Sequence, residues 1–102
     1  MTVIVEFSII PLGIGISISK FLAPALQKLD KKKVRHEITS MGTIFEAKSV
    51  GEAFDLVKAA HEAVFQKEIR RVVTTIKIDD RRDVEKTMDE KVQSLKKAMR
   101  GT

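Results

Sequence analysis

The stretch Glu6-Phe7-Ser8-Ile9-Ile10-Pro11-Leu12-Gly13-Ile14-Gly15-Ile16-Ser17-Ile18-Ser19 constrains everything around it: a strand pattern runs into a glycine-bearing turn and then into a serine-flanked helix start. In an extended chain Val3, Val5, Phe7 and Ile9 share one side, and Ile4, Glu6, Ser8 and Ile10 share the other. The first side is wholly apolar and requires a cover of helices. The second mixes apolar groups with a carboxylate and a hydroxyl, which suits a ligand or a second protein layer. Pro11 has no N–H to donate and is expected to end strand pairing. Gly13 and Gly15 permit conformations or close approaches that a Cβ blocks, and Ser17 or Ser19 stands where a helix cap is needed. Such a turn can hold an anion on its N–H groups. It equally serves as an ordinary strand-to-helix connection: no Gly-Lys-Ser/Thr follows, and one G-x-G is too short for a dinucleotide motif.

Downstream, Phe21, Leu22, Ala25, Leu26 and Leu29 recur at helical spacing, predicting a first helix from Ser19 to about Lys31. Pro24 interrupts the backbone ladder unless it lies in the first turn, so a kinked or late-starting helix is expected. Lys31-Lys32-Lys33 places positive charge at its carbonyl end. Val34 to Ser40 alternates as a strand, Gly42 breaks it, and Thr43 to Lys48 resumes it, giving a hairpin. Ser49-Val50-Gly51-Glu52 reads as a capping box opening a second helix whose buried stripe is Ala53, Phe54, Val57, Ala60, His61, Val64 and Phe65. Glu68 to Arg70 turns the chain into a fourth strand, Arg71 to Ile78. A third helix is expected from Asp80-Arg81-Arg82-Asp83, with a narrow stripe of Val84, Met88, Val92, Leu95 and Met99.

This order, β-α-β-β-α-β plus a C-terminal helix, predicts an α+β fold: a four-stranded antiparallel sheet with two helices on one face, the ferredoxin-like arrangement. The other face, carrying Ile4 and Ile10, is too apolar to face water and is expected to be buried by oligomerisation with the extra helix near the interface. The 102 residues suffice for one domain, residues 1–102, and not for two. No apolar run approaches the ~20 residues of a bilayer span, and no leader pattern precedes the first strand, so a cytoplasmic protein without membrane attachment is expected. The absence of cysteine excludes disulfides and thiolate chemistry. The net charge of +5 permits attraction to nucleic acid, but the positive charges are interspersed with negative ones.

The candidates for chemistry lie on two strands. Strands one and three are central neighbours in this topology, which brings Glu6 and Ser8 toward Thr43 to Glu46. Two carboxylates and two hydroxyls on an apolar surface can hydrogen-bond an amino-substituted heterocycle or balance a cation; Glu46 reads equally as a solvent-facing strand residue paired with lysine. The charges of Lys77-Ile78-Asp79-Asp80-Arg81-Arg82 form either a salt-bridge network or an anion clamp. His36 and His61 lack the spacing of a metal motif, so no metal site is expected.

Three separated segments carry a family resemblance. Glu6-Phe7-Ser8-Ile9-Ile10-Pro11-Leu12-Gly13 with Ser17 and Ser19, then Met41-Gly42-Thr43-Ile44-Phe45-Glu46, then Arg71 to Arg81 resemble the thiamine-binding, YkoF-like family of small ferredoxin-like proteins. The resemblance covers nearly the whole chain. It implies a non-enzymatic binder of thiamine or its hydroxymethylpyrimidine moiety near a subunit interface, acting as carrier, sensor or salvage-linked binder without a cofactor, in a homo-oligomer built as a dimer of dimers. It also implies that Ser8, Thr43 and Glu46 are polar pocket positions, that Pro11, Leu12, Gly13 and Ser17 form the loop, and that Lys77 and Arg81 belong to the strand-four motif. Pro24 departs from the pattern. An aminopyrimidine suits such hydroxyls and carboxylates, its flat ring suits walls such as Phe7 or Phe45, and a thiazolium cation suits Glu6 or Glu46.

Two other readings of the fold fit less well. An RNA-recognition module stacks bases on strand aromatics, and here Tyr and Trp are absent and Phe7 belongs to the helix-covered side. An acylphosphatase-type hydrolase needs a cation in the first loop, and Pro11 to Ser19 contains none. A purely structural oligomer with no small-molecule site is the main alternative.

Overall fold

A computed structural model describes residues 2–65 and 68–101. The elements are β1 (Val3–Pro11), α1 (Ser19–Lys31), β2 (His36–Ile38), β3 (Thr43–Ala47), α2 (Val50–Val64), β4 (Val72–Asp79) and α3 (Met88–Arg100). They form one antiparallel sheet of order β2-β3-β1-β4, so the fold is the expected ferredoxin-like α+β arrangement with an added helix. β1 lies at its centre. Val3, Val5, Phe7 and Ile9 point toward α1 and α2 and are buried, as are Phe45 and Ala47 opposite them on β3. Phe21, Ala25 and Leu29 of α1 and Ala53, Leu56, Val57, Ala60 and Val64 of α2 complete this core. Phe7 and Phe45 meet edge to face, with ring centroids 5.7 Å apart.

Several local expectations are corrected. Pro11 does not end pairing: β1 stays in register with β4 through Pro11 opposite Val72, and the Leu12 N–H donates to the Arg71 carbonyl at 2.9 Å. The proline is tolerated because its nitrogen faces away from β4. α1 starts at Ser19 rather than late and runs through Pro24. Its N-cap is Ile18, without a side-chain cap, so neither Ser17 nor Ser19 fills that role. On α2, Ser49 Oγ accepts from the Glu52 N–H as expected, but Phe54 and Phe65 are exposed and Leu56 takes the core position. β2 shortens to three residues.

α3 begins at Met88, eight residues beyond Asp80. Its start signal is Thr87-Met88-Asp89-Glu90, where Thr87 accepts from the Glu90 N–H and the Glu90 carboxylate accepts from the Thr87 N–H. The Glu46 carboxylate adds a second cap by accepting from the Met88 N–H at 2.8 Å. Asp89 pairs with Arg35 at 2.9 Å and Lys91 pairs with Asp79. Beyond buried Met88 every residue of α3 is exposed. The projecting helix gives a radius of gyration of 15.3 Å, against about 13 Å for a compact chain of this length.

Hydrogen bonding from Arg35 holds the Asp89 carboxyl below the usual carboxylate range, and Arg82 and Arg81 do the same for Asp80 and Asp83. These depressed values stabilise the folded state above the unfolded carboxylate pKa of about 4, and the contribution is lost as pH falls through the folded values. Acidification below about pH 4 is therefore expected to loosen the start of α3 before the core opens. Amide exchange resolved along the chain checks this, and an Asp89→Asn variant should show part of the loosening already at neutral pH.

Candidate functional site

The site follows from a mismatch in strand length. β1 pairs with β4 along Ile4 to Pro11, but its pairing with β3 ends at Phe7 opposite Thr43. The hairpin then turns: Thr39 Oγ1 donates to the Gly42 carbonyl and accepts from the Met41 and Gly42 N–H groups. A Cβ at Gly42 would stand 2.9 Å from the Phe7 carbonyl oxygen, so glycine allows the hairpin to close against β1 there. The second half of β1 is left with a notch on one side. α1 roofs it, and the result is a groove of about 440 Å³.

Ile18, Leu22 and Leu26, at four-residue steps along the chain entering α1, form one wall of the groove. Ile38 and Met41 from the hairpin form another, and Ile9 and Ile10 the floor. Two hydroxyl-bearing residues border this apolar setting, Thr43 on the helix-covered face beside Phe7 and Ser8 with its side chain on the opposite face of the sheet. Thr43 is the buried polar residue of the sheet, and Ser8 lies just beyond the β1–β3 pairing. Among the described residues neither side chain has a hydrogen-bond partner. The volume and the mixture of apolar walls with a few polar groups are those of a small-molecule pocket.

Two other concavities flank the fold. The turn after β1, with Gly13 at φ 82° and Gly15 at φ 99°, borders an open depression of about 800 Å³ that includes Ser17, Ser19, Lys20 and Glu68. Glycine is required at both positions by the positive φ. At the far end of the sheet, Ile4, Asp79, Arg81, Val84, Lys86 and Lys91 enclose only about 80 Å³.

The eleven residues singled out from sequence are distributed over these places rather than gathered. Ser8 and Thr43 share the groove; Gly13 and Ser17 border the turn depression, with exposed Leu12 and buried Pro11 leading into it. Glu6 and Lys77 are register neighbours on the open sheet face, where Glu6 also lies opposite Ile44. Glu46 lies opposite Ile4 and caps α3. Arg81 makes a two-bond pair with Asp83 at 2.7 and 3.0 Å. Phe45 is fully buried in the helix-covered core, so it cannot present a wall to a ligand. Leu22, Leu26 and Met41 were not singled out; the signal for the first two was a second apolar row on α1, beside the Phe21, Ala25 and Leu29 row that fills the core.

Neither histidine is placed for proton transfer in the groove. His61 Nδ1 lies 2.6 Å from Thr74 Oγ1, and His36 lies between the Val34 carbonyl at 2.7 Å and Asp30 at 3.2 Å. Among the described residues no cluster of three or more side chains has metal-ligand placement. None of the helices described is long and apolar enough to cross a membrane.

Residues 5–96 match the family described as thiamine-binding protein. A UPF0045 protein of Methanothermobacter thermautotrophicus is 49% identical over 92 residues, covering 89% of this chain and 93% of its own. A crystal structure of the Methanocaldococcus jannaschii protein MJ1052 superposes with a TM-score of 0.84 at 37% identity, over 93% of this chain and 96% of that one. A crystal structure of TM0486, a candidate thiamine biosynthesis/salvage protein of Thermotoga maritima, shares the fold with a TM-score of 0.76 at 21% identity, over 93% and 99% of the two chains.

Proposed function

This chain belongs to the thiamine-binding protein family, and on that premise we propose that it binds thiamine or its hydroxymethylpyrimidine moiety, without catalysis, in the groove beside β1. The observation that carries the reading is the unpartnered Thr43 hydroxyl on the helix-covered side of an otherwise apolar groove of about 440 Å³, with Ser8 at the edge of the same groove. A methyl-substituted aminopyrimidine needs apolar walls for its ring and methyl group and a few hydrogen-bonding groups for its nitrogens. Ile18, Leu22, Leu26 and Met41 supply the first, and the Thr43 hydroxyl contributes to the second.

A second copy completes this reading. Ile10, which helps to floor the groove, also belongs to the open sheet face with Ile4, Ile44 and Val73. A partner laid on that face closes the rim of the groove, which puts the ligand at a subunit interface. Exposed Glu6 then stands on the covered face as a counter-charge for a thiazolium cation. We take the assembly to be a homo-oligomer, a dimer of dimers in its full form, and the protein to act as carrier, sensor or salvage-linked binder.

Titration calorimetry with thiamine and, separately, with hydroxymethylpyrimidine tests the proposal. Saturable binding of either at about one ligand per subunit or per dimer is expected. Leu26→Trp, which fills the groove from α1, should weaken it by at least about 100-fold, the scale on which a blocked pocket forfeits its contacts. The absence of both heat and thermal stabilisation at millimolar ligand would leave a structural oligomer as the function.

A further inference from the structure

We propose that the backbone of Ile9 is the recognition edge of the groove: its N–H and C=O together read a planar heterocycle that carries an amino group next to a ring nitrogen. The inference rests on the binding function proposed above and specifies how the ligand is held. It comes from the parity of the strand ladders. The Leu12 N–H donates to the Arg71 carbonyl of the β4 side, which fixes the even-numbered residues of β1 as those whose backbone groups face β4. The odd-numbered residues therefore face β3. Val3, Val5 and Phe7 find partners there in Ala47, Phe45 and Thr43. Two residues further on, the register would place Met41 opposite Ile9, but Met41 has left the ladder: its N–H is bonded to Thr39 Oγ1 and its side chain is exposed.

Ile9 is thus a buried strand residue with a parallel donor and acceptor and, among the described residues, no hydrogen-bond partner for either. Both groups point into the notch that forms the groove. An unpaired backbone pair away from bulk water is costly, so its natural complement is whatever fills the groove. The missing strand residue would have offered one acceptor and one donor side by side. An aminopyrimidine offers the same: its ring nitrogen accepts from the Ile9 N–H, and its amino group donates to the Ile9 carbonyl. Pro11 fits this arrangement, since its missing N–H would also face the notch. Thr43, nine-tenths buried on the β3 side of the gap, is left to hydrogen-bond the ring substituent.

The experiment compares thiamine, hydroxymethylpyrimidine and adenine with the corresponding compounds in which an oxo group replaces the amino group, each titrated by calorimetry and by amide NMR. The oxo compounds carry an acceptor where the Ile9 carbonyl needs a donor, and a ring N–H where the Ile9 N–H needs an acceptor. Their binding should fall about 10- to 100-fold or more. In the saturated amino complex the Ile9 amide resonance should move downfield and its hydrogen exchange should slow. Equal affinity for an amino and an oxo compound, or an unchanged Ile9 amide at saturation, overturns the Ile9 assignment while thiamine binding stands. If thiamine and hydroxymethylpyrimidine fail but adenine shifts the Ile9 amide, the thiamine reading falls and the recognition edge stands. If no amino heterocycle binds at all, both fall.

Discussion

Phe45→Ala is expected to destabilise the protomer by about 3–5 kcal/mol. The side chain is fully buried, stands opposite Val5 in the central strand pair and meets Phe7 edge to face at 5.7 Å. Truncation removes the transfer free energy of a phenyl ring and leaves a cavity between sheet and helices that neighbours anchored in two strands cannot collapse to fill. Urea unfolding followed by far-UV circular dichroism measures the loss. The same substitution separates two roles that the sequence leaves open for this ring, a core residue or a ligand wall. The structure makes it core, so at temperatures where the variant remains folded its affinity for thiamine should stay within a few-fold of the parent. A stability change below about 1 kcal/mol accompanied by lost binding would reverse that assignment.

The strand pattern was readable because burial in a central strand imposes strict alternation: Val3, Val5, Phe7 and Ile9 could face only one way once a helix layer existed. The same logic located β3 and β4 within a residue or two. The expected end of pairing at Pro11 fails because proline forbids pairing only on the side its nitrogen faces, and which side that is depends on the register with β4. The start of α3 was misplaced because Asp80 to Asp83 resembles an acidic helix start, yet Asp80 and Asp83 are committed to Arg82 and Arg81 in ion pairs of the connecting loop. The reciprocal cap between Thr87 and Glu90 was present in the sequence as a stronger signal. Phe54 and Phe65 were assigned to the α2 core from hydrophobicity alone, although Leu56 lies on the buried face.

The groove was the least legible part. Ser8 and Thr43 are identifiable as polar groups on central strands, but the groove that both border depends on β1 outrunning β3 by four residues, from Phe7 to Pro11. That is a long-range property of the register and the hairpin turn, not of any local motif. Glu46 shows the converse: a carboxylate that local chemistry offers to a ligand is engaged by the Met88 N–H, forty-two residues away in the chain.

Val92→Lys together with Leu95→Lys is expected to convert the proposed oligomer into folded monomers. Met88, Val92, Leu95 and Met99 recur at steps of four, three and four residues, the spacing of a narrow seam that meets one partner. Met88 anchors the seam in its own protomer, whereas Val92, Leu95 and Met99 are 48%, 64% and 69% exposed. Ile10 and Val73 on the open sheet face are also exposed. A projecting apolar helix and an uncovered apolar sheet face on one protomer are satisfied together when two copies exchange them by a twofold axis. Each lysine then carries an unpaired charge into the interface in both copies, at a cost of several kcal/mol per ion. Even about 3 kcal/mol per subunit weakens a dimer on the order of 10⁴-fold. Light scattering at micromolar concentration reads the change, while circular dichroism should report a nearly unaltered fold because neither residue belongs to the core. A parent protein that is already monomeric, or a variant that keeps the parent's mass, would remove α3 and the sheet face as partners. In the proposed assembly the same contact closes the rim of the groove at Ile10, so the monomeric variant should also bind thiamine more weakly than the parent, linking assembly to ligand occupancy in a way that a merely structural helix would not.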